Sequence, residues 1–188
     1  MRSDRIPAWN AQGVIPPCCP DDPTSPDRSP YNMSLTDFVH QFGITQQRRE
    51  ILTGFLDFRA ALHDAGLYKG FQWINGSYLE NIEMLENRSP NDLDVVTFFH
   101  HSEGGNQDQL LITHRELFVP KNIKDKYRVD AYYVSLDDYP VSLLVEHTAY
   151  WYSLWSHRRD ERWKGFIQID LDSHDERVAR ARLQKVAE

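Results

Sequence analysis

Asp92-Leu93-Asp94-Val95-Val96-Thr97-Phe98-Phe99 decides how this chain is read. The stretch alternates in polarity at its start and is rich in β-branched and aromatic residues, so it predicts a strand. Residues two apart in a strand share a face. Asp92 and Asp94 therefore project together, and Leu93 faces the opposite side. Two carboxylates held this close repel each other unless a cation lies between them. Their hard oxygen atoms suit Mg2+ or Mn2+. The plainer alternative is a polar strand start with two solvated aspartates.

Working outward, residues 70–75 (Gly-Phe-Gln-Trp-Ile-Asn) predict a preceding strand. Asn75-Gly76-Ser77 then turns into a helix expected from about Tyr78 to Glu86. A glycine lets backbone approach a ligand closely. A helix N-terminus offers free N–H groups that suit a phosphate, and Ser77 adds a hydroxyl. Ser77 and Glu80 also match a capping box, a purely structural role. Arg88–Asn91 reads as a turn into the Asp92 strand. Downstream, a loop with Gly104-Gly105 leads to a helix near Gln107–Phe118, which Pro120 breaks. Tyr127–Val134 predicts a third strand with Asp130 near its middle. A buried carboxylate there is costly; a solvated face shared with Arg128 and Tyr132 is the alternative.

The remainder fits one domain of helices and strands. Ser34 can cap a short helix carrying Phe38, Val39 and Phe42 and ending at Gly43. Thr45 can cap a second, with Ile51, Leu52, Phe55, Leu56, Phe58 and Leu62 at helical spacing and Gly66 as its stop. Pro140 can open a helix through Leu143, Leu144, His147, Tyr150, Trp151 and Leu154. Residues 165–171 predict a fourth strand, and 174–186 a short charged helix. This order indicates an α+β domain, a mixed sheet flanked by helices, over residues 34–188. Residues 1–33 hold seven of the ten prolines and are expected to form an extended arm or a disordered lead-in.

Composition narrows the function classes. The 188 residues carry 21 Lys and Arg against 28 Asp and Glu, a net charge of −7, which argues against broad binding to nucleic acid. Residues 157–185 run the other way, with eight basic and six acidic residues. No apolar run approaches the ~20 residues of a membrane span, and no apolar stretch follows Met1–Arg5, so no signal peptide is expected. The two cysteines, Cys18 and Cys19, are adjacent and read as free thiols of a cytoplasmic protein.

In sequence order, strand, Gly-Ser, helix, Asp-x-Asp strand and single-Asp strand resemble the fingerprint of the DNA polymerase β nucleotidyltransferase superfamily, over about residues 70–135. The rest of the chain, with its Pro-rich arm and its ending Trp163-Lys164-Gly165-Phe166-Ile167, resembles an uncharacterised group of small bacterial nucleotidyltransferase-like proteins. The resemblance implies a nucleotidyltransferase-type sheet and transfer of a nucleoside monophosphate from a nucleoside triphosphate, with ATP among the candidate donors. Gly76 and Ser77 then bind phosphates, and Asp92, Asp94 and Asp130 hold Mg2+ or Mn2+ and serve catalysis. The acceptor is left open between RNA, a protein and a small molecule. Small members of the superfamily occur in toxin–antitoxin and defence settings, which implies a cognate antitoxin or other protein partner.

Further along, Arg158, Arg159 and Lys164 are candidate phosphate contacts, with ion pairing to Asp160 and Glu161 as the alternative. Tyr150, Trp151 and Trp155 offer either a stacking surface or a helix face packed on the sheet. His100, His101, His114, His147 and His157 lack zinc-motif spacing. Two other readings use the same residues: a non-catalytic nucleotide-binding module, and a metal-dependent nuclease or hydrolase.

Overall fold

The computed structural model describes residues 6–19, 21–102, 105, 107–172 and 174–185. The start of the arm, Pro20, Gly104 of the expected loop and Val186 of the expected last helix lie outside them. The fold is α+β, with a mixed five-stranded sheet and helices against it.

Strand β1 (Tyr31–Asn32) precedes helix α1 (Leu35–Phe42), which Ser34 caps by accepting from the Asp37 amide. Helix α2 (Gln46–Asp64) is capped in the same way, by Thr45 accepting from the Arg48 amide. The apolar stripe that predicted α2, Ile51 to Leu62, is buried throughout. β2 (Lys69–Asn75) and β3 (Leu93–His100) pair antiparallel, and helix α3 (Ile82–Glu86) lies between them. Helices α4 (Gln107–Thr113) and α5 (Pro120–Tyr127) carry the chain to β4 (Val129–Ser135), which runs parallel to β3. Helix α6 (Val141–Trp155), β5 (Ile167–Asp170) and helix α7 (Glu176–Lys185) follow. The strand order is β1-β5-β2-β3-β4.

Several expectations change. The helix from Tyr78 to Glu86 is split into a 3-10 turn (Ser77–Leu79) and α3, because Glu80 is extended at φ −101° and ψ 155°. The Ser77–Glu80 capping box does not form; Glu80 is pulled away by Lys164 and Arg158. The helix expected near Gln107–Phe118 stops at Thr113 and a 3-10 turn covers Arg115–Phe118, while Pro120 opens α5 at its first position, where a missing N–H costs nothing. Arg128, at φ 55°, closes α5 in the left-handed region, so β4 starts two residues later than expected.

The arm is irregular for most of its length, as its prolines require, but it is not a loose lead-in. Val14 and Ile15 are fully buried. The Gly13 carbonyl accepts from the Asn81 amide at 2.8 Å, and the Ile15 carbonyl from Gly165 at 2.7 Å. The arm ends in β1, a fifth strand parallel to β5.

Helix α6 departs furthest from a helix packed on the sheet. Only Trp151 and Trp155 are buried, while Val141 and Val145 stand 76% and 62% exposed. Its last turn docks through Trp151 on Tyr132 and Trp155 on Phe166. Among the described residues no helix is long and apolar enough to cross a membrane.

A buried guanidinium joins the layers. Arg59 of α2 donates to Glu176 of α7 at 2.8 Å, to Gln72 of β2 at 2.7 Å and to the Asp172 carbonyl at 2.8 Å. Removing it leaves buried acceptors without a donor. Arg59→Ala is expected to lower the unfolding free energy by about 3 kcal/mol in urea denaturation. Arg180→Ala, which breaks the exposed pair with Asp57, is expected to change it by less than about 1 kcal/mol.

Candidate functional site

The sheet register brings the sequence-predicted acids together. Asn75 of β2 pairs with Asp94 of β3, which pairs with Asp130 of β4. Paired residues on adjacent strands project from the same face, so these three side chains form a row across the sheet. Asp92 lies two residues before Asp94, just ahead of β3. Gly76, Ser77, Asp92, Asp94, Asp130, Arg158 and Lys164 all line one cleft of about 790 Å³. Tyr132, Trp151, Leu154 and Trp155 form its apolar side.

Gly76 is fixed by that geometry. Its φ of +85° disfavours any side chain, and a Cβ there would stand 2.0 Å from Asp94 Oδ2. The turn thus lays bare backbone against the carboxylate of the next strand. Ser77 lines the cleft beside it and caps nothing. Asn75 is buried; its amide nitrogen donates to the Trp155 carbonyl at 3.1 Å, and its Oδ1 has no partner.

The electrostatics are those of an acid cluster short of positive charge. Burial, reinforced by Asp92 and Asp130, pushes the Asp94 carboxyl up to about 6, with Lys164 and Lys124 pulling only partly the other way. Lys124 of α5 bridges the other two acids. Its Nζ lies 2.7 Å from Asp92 Oδ2 and 3.2 Å from Asp130 Oδ2. Hydrogen bonds to both hold its ammonium further above its ordinary range. Sequence reasoning missed Lys124 because α5 was not expected. Its only signal was Pro120, read as a breaker.

Two of the three basic residues assigned to phosphate, Lys164 and Arg158, are engaged elsewhere. Lys164 is buried, donates to Glu80 Oε1 at 2.7 Å and reaches the Gly76 carbonyl at 3.4 Å. Its burial lowers its pKa despite Glu80. Arg158 Nη1 lies 2.9 Å from Glu80 Oε2, and Nη2 donates to Glu86 at 2.8 Å. Glu80, read as a cap, is the hub of this network, and Lys164 braces the Gly76 turn. Arg159 is exposed on the cleft wall. His100 and His101 stand at the far end of β3 and pair with Asp137 and Asp138.

Carboxylate oxygens, mutual repulsion and Asp94's raised proton affinity fit a divalent ion. As they stand, no three His, Cys, Asp or Glu side chains among the described residues are arranged to hold a metal; Asp92 and Asp130 are both turned to Lys124.

The raised value of Asp94 has a definite sign. Above pH 6 the ionised carboxylate costs stability, and the cost is relieved as pH falls from about 6 towards the ordinary range near 4. Asp94→Asn is therefore expected to raise the Tm without metal at pH 7.5, and the gain is expected to shrink at pH 4.5. Gly76→Ala is expected to lower the Tm at both.

A search of curated proteins and one of solved structures each find no match. One family model, described as a family of unknown function (DUF6932), matches residues 7–170. That span runs from the arm through β5 and takes in every residue lining the cleft, and the chain belongs to this family.

Proposed function

We propose that the chain is a metal-dependent nucleotidyltransferase, moving a nucleoside monophosphate from a nucleoside triphosphate to an acceptor hydroxyl. The observation that carries this reading is the convergence of Gly76-Ser77, Asp92, Asp94 and Asp130 on one cleft, in the order and strand context of that superfamily's motif.

The charge balance supports a metal requirement. Six acids line the cleft (Glu80, Glu86, Asp92, Asp94, Asp130 and Asp160) against five basic residues, Arg88, Lys124, Arg158, Arg159 and Lys164. All of the latter except Arg159 already contact an acid. A triphosphate entering this cleft meets net negative charge, so its binding needs an added cation. Asp92, Asp94 and Asp130 would hold Mg2+ or Mn2+, which when bound neutralises phosphate charge and makes the acceptor hydroxyl a better nucleophile.

The chain's own groups then divide the work. The exposed backbone of Gly76 and the Ser77 hydroxyl orient the phosphates, and Arg159, exposed on the cleft wall, adds a contact to them. Tyr132 and Trp151, whose rings lie 4.7 Å apart, offer the base an aromatic wall. Asp130 stands beside the acceptor and takes its hydroxyl proton. The acceptor oxygen bonds to the α-phosphorus, the bond to the β-phosphate breaks, and pyrophosphate leaves. Positioning and charge neutralisation supply most of the rate in such chemistry. This reading carries a cytoplasmic site of action, where nucleoside triphosphates are abundant, and a protein partner such as an antitoxin if the transfer is toxic.

The test is incubation of the protein with Mn2+ or Mg2+, each α-labelled triphosphate and a cell lysate, followed by separation of RNA, protein and small molecules. Label is expected in one fraction, with Asp92→Ala and Asp94→Ala each reducing it roughly 100-fold or more. Label unaffected by both substitutions, or none in any fraction, overturns the proposal. Cleavage of RNA or DNA without labelling would instead favour a nuclease.

A further inference from the structure

The acid cluster already holds a cation, and it belongs to the chain. Lys124 is the one basic residue, among those described, that contacts both Asp92 and Asp130. Of the other basic side chains of the cleft, Arg158 and Lys164 pair with Glu80 and Arg88 with Glu86, while Arg159 is exposed on the wall. Lys124 sits on a short helix, α5, whose end is fixed by the Arg128 amide donating to the Lys124 carbonyl at 3.0 Å. Its backbone is therefore held while its side chain, 50% exposed, is free to swing on four methylenes.

We infer that Lys124 is a resident counter-cation which occupies the place of the divalent ion, offsets part of the charge of Asp92 and Asp130 in the metal-free protein, and must be displaced for a metal to bind. The inference rests on the function proposed above for the same cleft. Its physical basis is competition: an internal ligand that occupies a site for most of the time weakens the apparent affinity of any external one by the fraction of time the site is free. The same contact stabilises the metal-free fold, because without it Asp92, Asp94 and Asp130 repel across adjacent strands with no cation between them. Lys124 thus sets the metal concentration at which the site fills, and metal-free and metal-bound forms differ in which cation faces the cluster.

Titration of the full-length chain with MnCl2 alone, at fixed ionic strength, tests this by calorimetry and by thermal shift. Lys124→Gln is expected to lower the half-saturating Mn2+ concentration roughly fivefold, in line with a half-exposed ion pair, and to lower the Tm measured in chelator. Lys124→Arg keeps the charge and is expected to hold both close to wild type. Asp94→Asn is expected to abolish the Mn2+ response. If wild type binds Mn2+ and Lys124→Gln binds it equally or more weakly, the counter-cation role is overturned while the metal-dependent reading stands. If neither wild type nor Lys124→Gln binds Mn2+, both fall. Binding by Lys124→Gln but not by wild type would support the role, with the lysine excluding the ion completely.

Discussion

The carbonyls of Tyr78 and Glu80 accept no helical hydrogen bond, and the guanidinium of Arg48 satisfies them instead. Arg48, fully buried in α2, donates to the Tyr78 carbonyl at 2.7 Å, to the Glu80 carbonyl at 2.7 Å and to both oxygens of Glu83. The rings of Trp9 and Tyr78 lie about its charge, at 5.2 and 5.0 Å. A planar fork of five donors suits this task, as a lysine would not. Because the 3-10 turn is pinned from behind, Gly76 can hold its left-handed backbone against Asp94. Glu80 can face forward to hold Lys164 and Arg158.

The arm belongs to the same support. Trp9 reaches the Arg48 charge on one side and donates to the Leu79 carbonyl on the other, at 2.7 Å. Gly13 and Ile15 tie the arm to Asn81 and Gly165, which flank the cleft residues Glu80 and Lys164. A segment that cannot form regular structure thus supplies backbone acceptors to two loops that would otherwise lack partners. The family match beginning at residue 7 takes in this brace together with the cleft.

The site itself combines rigid and movable parts. Asp94, Asp130 and Gly76 sit on strands or tight turns whose register leaves them no freedom, and Lys164 is buried beneath them. Lys124, Arg159 and the outer face of α6 are exposed and can respond to what enters. Preorganised acids with adaptable cations around them are what charge-neutralising chemistry requires.

Much of the fold and the site's acids was legible in the sequence, for physical reasons of short range. The caps at Ser34 and Thr45, the stripe of α2 and the alternation around Asp94 and Asp130 are local signals, set by 3.6- and 2-residue periods. Placing Asp92 and Asp94 on one face needed only the strand period. Other features depended on partners distant in the chain. Whether Ser77–Glu80 forms a cap depends on Lys164 and Arg158, some eighty residues on. Whether a Pro-rich arm is loose or braced depends on the bare amides of other loops. Whether Asp130 is free depends on Lys124, brought round by an unforeseen helix and a left-handed Arg128. The sequence by itself determined that the four longer strands form, and which residues carry charge. Only the tertiary structure decided which charges meet, because ion pairs and buried hydrogen bonds are satisfied across elements and leave no periodic trace along the chain.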